Sequence, residues 1–254
     1  RDLHSFPTRR SSDLDPDTCR RQFPALGREV DGRPAVFFDG PAGSQVPRRV
    51  IDAIGDYLAG SNANHGGSFL TSRESDAMLA EAHRAAADFM GSADAELVAF
   101  GANMTTLTFA LSRALAKTWR AGDEVIVSRS AHDANFTPWV LAAADAGATV
   151  RYVDIRAGDC SLDLEELAAM LCERTRLVAV ACASNFSGTI HPVEKIAALA
   201  HEVGAQVFLD AVHYAPHAAL AVEQWDCDFL VCSAYKFFGP HVGLLWGKIG
   251  RAHV

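Results

Sequence analysis

The chain has 254 residues, 49% of them hydrophobic and 21% charged, with a formal net charge of -8. That length and balance suit a large globular core, and the acidity, with no long basic run, argues against a nucleic-acid binder. No apolar run approaches the ~18 residues of a membrane span, and the six cysteines show neither CxxC pairing nor metal-ligand spacing, so a reducing, cytoplasmic setting is expected.

Residues 1–14, "RDLHSFPTRRSSDL", lack the continuous apolar segment of a signal peptide. Together with "IGRAHV" (249–254) they resemble translated adapter sequence, and both are set aside as non-native flanks of a fragment of a longer protein. Residues 15–95 form an N-terminal arm. In it "PRRVIDAIGDYLAG" and "SDAMLAEAHRAAADFMG" have helical patterning and flank a polar, glycine-bearing loop, "SNANHGGSF". From 96 to 248 short apolar runs alternate with helical patterns. "ELVAF" (96–100), "EVIVS" (124–128), "TVRYVD" (149–154), "RLVAVAC" (176–182), "QVFLD" (206–210), "DFLVCS" (228–233) and "VGLLWG" (242–247) are the expected strands. Their continuous apolar character predicts a sheet covered on both faces. Among the intervening helices, "SLDLEELAAMLCER" (161–174) offers Ser161 as its N-cap, and "HPVEKIAALAHEVG" (191–204) begins beside Pro192 and stops at Gly204. The expected fold is therefore α/β, a three-layer sandwich around a seven-stranded, mostly parallel sheet. The short connection before the last strand is too brief for a parallel crossover, so that strand should run antiparallel.

In such a sheet ligands bind beyond the carboxyl ends of the strands, so strand-ending residues carry the chemistry. "GANMTTLTFA" follows the first strand and opens a helix, whose free amides would suit a phosphate. His132 follows the second strand and Asn185 the fourth, where an ordinary loop histidine and turn asparagine are the plainer readings. Asp210 ends the fifth, as a helix cap or as a buried carboxylate that needs a partner. Lys236, in "SAYKFFGP", is either a lysine snorkelling from a strand end or an amine whose pKa must be lowered for covalent chemistry. An anion cradle, a carboxylate, an asparagine, a ring and a lysine together match the needs of pyridoxal phosphate.

The stretches "FFDGPAGSQVP", "NANHGGSF", "SAHDANFTPW", "RTRLVAVACASNFSGTIHPV", "FLDAVHYAPH" and "DFLVCSAYKFFGPHVGLLWGK" run in order from about residue 36 to 248. With them the chain resembles the class V aminotransferase-fold enzymes, close to the cysteine desulfurase and selenocysteine lyase group. The resemblance implies the aspartate-aminotransferase-like fold type I large domain, with a C-terminal small domain lying outside this chain. It implies pyridoxal 5'-phosphate as cofactor, with Lys236 as the Schiff-base lysine and proton shuttle, and Asp210 opposite the ring nitrogen. His132 would stack on the ring and share the catalytic role, Asn185 and His213 would address the phenolic oxygen, and Ser233 with Ala102 and Asn103 would hold the phosphate. His65 would lie in a loop on the substrate side. The implied activity is desulfurase-like, on a small amino acid, in a cytoplasmic homodimer that hands sulfur to an acceptor. Without its small domain the chain by itself is expected to be inactive. Other class V reactions (aminotransferase, epimerase, kynureninase-like) and a noncatalytic binding role remain the alternatives. Tyr235 stands where desulfurases carry a histidine, His213 where glutamine is common, and Ala102 and Asn103 where two threonines are common.

Overall fold

The computed structural model describes residues 15–248, so both expected adapter-like flanks lie outside the described residues. The arm opens with a one-and-a-half-turn helix α1 (Pro16–Arg21), capped by Asp15, and a short antiparallel ribbon of β1 (Glu29–Val30) and β2 (Arg33–Pro34). Two longer helices follow, α2 (Arg48–Gly60) and α3 (Leu70–Met90). The second starts five residues before the helical pattern expected at Ser75. Its opening residues, Leu70 to Glu74, are good or tolerable helix formers, and Ser72 and Ser75 use their hydroxyls in local bonds to Gly67 and Thr71. Ala86, Ala87 and Met90 at its far end are buried in the main core, which ties the arm to the sheet.

The rest alternates strands and helices in chain order: β3 (Val98–Gly101), α4 (Met104–Ala116), β4 (Glu124–Ser128), α5 (Thr137–Ala146), β5 (Thr149–Val153), α6 (Leu164–Met170), β6 (Thr175–Ala181), α7 (Val193–Glu202), β7 (Gln206–Asp210), α8 (Val222–Trp225), β8 (Phe229–Ser233) and β9 (Gly243–Gly247). The seven strands from β3 to β9 make one sheet in the order β3-β9-β8-β7-β6-β4-β5. All neighbours are parallel except β9, which runs antiparallel to both β3 and β8. The short link before β9 leaves no room for a crossover, as its length predicts.

Side chains along each strand alternate between two apolar layers, the period-two consequence of the pleat. On β4, Ile126 faces one layer while Val125 and Val127 face the other; on β7, Val207 and Leu209 oppose Phe208 in the same way. One layer is closed by α3, α6, α7 and α8 through Met90, Leu167, Ile196 and Trp225, and the other by α4 and α5 through Met104 and Trp139. Helix α6 differs from its expected form. It is capped by Asp163, whose carboxylate accepts from the amides of Glu165 and Glu166, while Ser161 bonds Asp159 instead. The helix ends at Met170, because Leu171 is already extended and leads into β6.

Candidate active site

Parallel pairing puts the carboxyl ends of β4, β6, β7 and β8 at one edge, with Asp210 level with Ala181 on one side and Val231 on the other. The chain moves outward from β4 to β5 and back to β6, so the order reverses there and a crevice opens above the strands. One cleft at this edge is lined by Lys236, Asp210, His132, Asn185 and His213, five of the eight residues expected at the site. Met104, Thr105, Pro41 and Tyr235 complete its walls.

Asp210 is the buried charge of the cleft, at 5% exposure. It accepts one hydrogen bond, from the Val212 amide at 2.9 Å. Burial pushes its carboxyl up to about 6, and the Val212 bond, His132 and Lys236 only partly oppose the rise. A carboxylate held dry beside an open cleft, short of a cation, is a partner waiting for a positive group. Lys236 sits half-buried in the turn after β8, and its ammonium donates to the Pro41 carbonyl and lies 5.0 Å over the Tyr235 ring. Burial lowers its pKa from the ordinary lysine value, with Asp210 working in the opposite sense, and a lowered pKa favours the nucleophilic amine. His213 is also shifted down, by burial first and then by His217 and Lys236, so its imidazole favours the neutral form. His217 meets its ring edge-on at 5.2 Å. His132 and Asn185 are exposed on the loops after β4 and β6. His132 fixes its ring by accepting from the Ala134 amide at 3.1 Å through Nδ1, which leaves the other ring nitrogen as the protonated one in the neutral form.

The remaining three expected residues stand behind the cleft. Ser233 is fully buried, and its hydroxyl accepts from the Met104 amide at 2.9 Å, which pins the start of α4 to the end of β8. Asn103 caps α4 by accepting from Thr106, and Ala102 is exposed; neither lines the cleft. Met104 and Thr105 line it instead. With the Met104, Thr106 and Leu107 amides satisfied by Ser233 and Asn103, the Thr105 amide has no partner among the described residues, at the N-terminus of a thirteen-residue helix. Gly243 makes this approach possible, since a Cβ there would fall 2.4 Å from the Asn103 backbone. His65 lies outside the cleft, exposed on its loop with its ring 3.8 Å from Asp76. Pro41 and Thr105 were missed from sequence because what they offer the cleft is backbone, a carbonyl and an amide, which no residue type advertises; the turn "DGPAGS" was the available signal for the first.

The residues fit pyridoxal phosphate. A buried carboxylate short of a cation, a depressed lysine and an open helix N-terminus face one crevice, and they match in order a protonated ring nitrogen, an aldehyde and a phosphate. Fold and cleft together define the large domain of a fold type I pyridoxal phosphate enzyme. The chain belongs to the aminotransferase class-V family, whose pattern matches residues 36–251. It is 37% identical over 239 residues to a probable cysteine desulfurase of Synechocystis sp., covering 91% of this chain and 56% of that protein. It is also 37% identical to the aminotransferase-like protein FGM3 of Gibberella zeae, over 94% of this chain and 59% of that one. Among solved structures it resembles the cysteine desulfurase of Thermococcus onnurineus NA1 with a TM-score of 0.84 at 28% identity, covering 93% of this chain and 57% of that one. The cysteine desulfurase CsdA of Escherichia coli gives 0.81 at 28% identity, over 92% and 58%. The chain thus spans less than three fifths of the length of these relatives. Among the described residues no helix is long and apolar enough to cross a membrane.

Proposed function

We propose that this chain is the cofactor-holding part of a pyridoxal phosphate enzyme that removes sulfur from cysteine or a close analogue, leaving alanine and passing the sulfur to a thiol. The observation that carries the reading is the shared cleft of Asp210 and Lys236, a buried carboxylate raised to about 6 beside a lysine lowered from its usual value. When bound, the cofactor supplies an electron sink for bonds at the substrate α carbon. Asp210 would hold a proton on the ring nitrogen by charge, and Lys236 would take the aldehyde through Nζ and serve as the base for the α proton. His132 would cover the ring face, Asn185 and His213 would face the phenolic oxygen, and Ser233, which holds the α4 N-terminus, would place the Thr105 amide for the phosphate.

The three buried thiols do not serve as the sulfur acceptor. Burial pushes Cys182 and Cys232 far up and Cys227 up to about 12, so none supplies a thiolate at neutral pH. A homodimer, an external sulfur acceptor and a cytoplasmic setting belong to the same proposal. Tyr235, at the position of the desulfurase histidine, favours a second reading in which this machinery runs another class V reaction on a small amino acid. The test incubates the full-length enzyme that contains this chain with pyridoxal phosphate, cysteine and an excess of a reducing dithiol, which releases the transferred sulfur as sulfide, and measures alanine and sulfide. Alanine and sulfide in equal amounts support desulfuration, and pyruvate or a transaminated product supports the second reading. Failure to retain pyridoxal phosphate overturns both.

A further inference from the structure

The turn that carries Lys236 is held from outside the sheet by a segment almost two hundred residues away in sequence. Its own bonds are few: the Phe237 and Gly239 amides both donate to the Ala234 carbonyl, and Phe238 sits in the left-handed region at φ 70. The arm segment Gly40–Ser44 supplies the rest. The Ser44 amide donates to the Tyr235 carbonyl at 2.8 Å, and the Ser44 hydroxyl donates to the same carbonyl at 3.0 Å. That hydroxyl also accepts from the Phe238 amide at 2.6 Å. One side chain therefore bridges the residue before Lys236 to the residue two beyond it. Two residues upstream of Ser44 lies Ala42, and next to it Pro41 accepts from the lysine ammonium itself. Gly43 lies between them at φ 147, where a Cβ would press to 3.1 Å from the Tyr235 ring, so the segment lies flat against that ring.

The geometry points to Ser44 as a positioning residue for Lys236, acting with the Pro41 carbonyl as a clamp that sets where the amine rests and how it enters the cleft. The inference rests on the proposed role of Lys236 and deepens it. Ser44 touches neither cleft nor substrate; it acts by fixing the backbone on both sides of the lysine. The hydroxyl is suited to this because it has one proton to give and lone pairs to accept with, and the bridge uses both. The Pro41 carbonyl keeps the amine at the buried cleft wall, where desolvation outweighs the preference of that bond for the ammonium form, and the amine must release the bond to attack an aldehyde. In that condensation the nitrogen bonds the aldehyde carbon, the aldehyde oxygen leaves as water, and the ammonium proton passes to solvent.

The test compares wild type, Ser44→Ala, Ser44→Thr and Gly43→Ala as cofactor-free proteins. Amide exchange at Phe238 is read first, then the rate and pH midpoint at which pyridoxal 5'-phosphate is captured, with borohydride reduction and mass spectrometry to place the adduct. Ser44→Ala is expected to lose protection at Phe238, to capture about tenfold more slowly, as loss of a bridging hydrogen-bond donor and acceptor implies, and to shift its midpoint towards an ordinary lysine. Ser44→Thr, which keeps the hydroxyl, restores all three. Gly43→Ala shifts the midpoint in the same direction, and decides the matter alone if Ser44→Ala does not fold. Wild-type rate and midpoint in folded Ser44→Ala, or in Gly43→Ala where only that variant folds, overturn the clamp while leaving Lys236 in its role. An adduct away from Lys236 in the wild type overturns the proposed function instead.

Discussion

Asp210→Asn in the cofactor-free protein should raise stability at neutral pH, an unusual outcome for a change at a functional centre. The carboxyl rises from 3.8 to about 6 on folding because it loses water, and the Val212 amide, His132 and Lys236 only partly offset that loss. A group raised in the folded state contributes stability that is fully present below its unfolded value and lost as pH climbs through its folded value. Here the loss falls between about pH 4 and pH 6, and by pH 7 the shift costs up to ~3 kcal/mol at 1.36 kcal/mol per unit. Asparagine is nearly the same shape, keeps an oxygen for the Val212 amide and carries no charge to desolvate. Urea unfolding of both proteins from pH 4 to pH 8 should give curves that nearly meet at pH 4, separate between about pH 4 and pH 6 and run parallel above that, with the variant more stable. Adding pyridoxal 5'-phosphate should then raise the wild-type melting temperature more than the variant's, because only the carboxylate meets the ring nitrogen with opposite charge. A variant less stable than wild type at pH 7, or a difference that ignores pH, would refute the argument that Asp210 is a carboxylate kept short of its cation.

Lys236→Ala should abolish the borohydride-stable pyridoxyl adduct with circular dichroism unchanged; an adduct mainly on Lys195 or Lys248 in the wild type would move the role elsewhere. Phe208→Ala should lower unfolding free energy by about 3–5 kcal/mol, since the ring is fully buried and meets Trp139 edge-on at 4.8 Å; denaturant titration with an unchanged m-value checks it. Thiol reagents at pH 8 should label Cys19, Cys160 and Cys172 in the folded protein and reach Cys182, Cys227 and Cys232 only on unfolding, because burial keeps the latter as thiols.

The seven sheet strands were legible because each is a short apolar run bounded by polar turns, and burial on both faces leaves little room for any other assignment. The antiparallel course of β9 followed from loop length alone. Helix limits were less legible. Asp163 rather than Ser161 caps α6, and both offer a side-chain oxygen at a plausible offset, so the choice rests on Ser161 being engaged with Asp159 while the Asp163 carboxylate faces the free amides of Glu165 and Glu166. At the cleft, Lys236, Asp210, His132, Asn185 and His213 were legible as a group because each ends or follows a sheet strand, and parallel pairing gathers those ends around one crevice. Ala102 and Asn103 stand two residues ahead of Met104 and Thr105, which line the cleft, because which residues at a helix start face a crevice depends on helix geometry and not on side-chain type. The sequence determines which groups exist and that parallel strands bring their ends to one edge. Only the folded chain decides that Asp210 lies dry and short of a cation, that Ser233 ties α4 to β8, and that Ser44 reaches the lysine turn. Those are properties of burial and of contacts between residues far apart in the chain, and a local pattern carries neither.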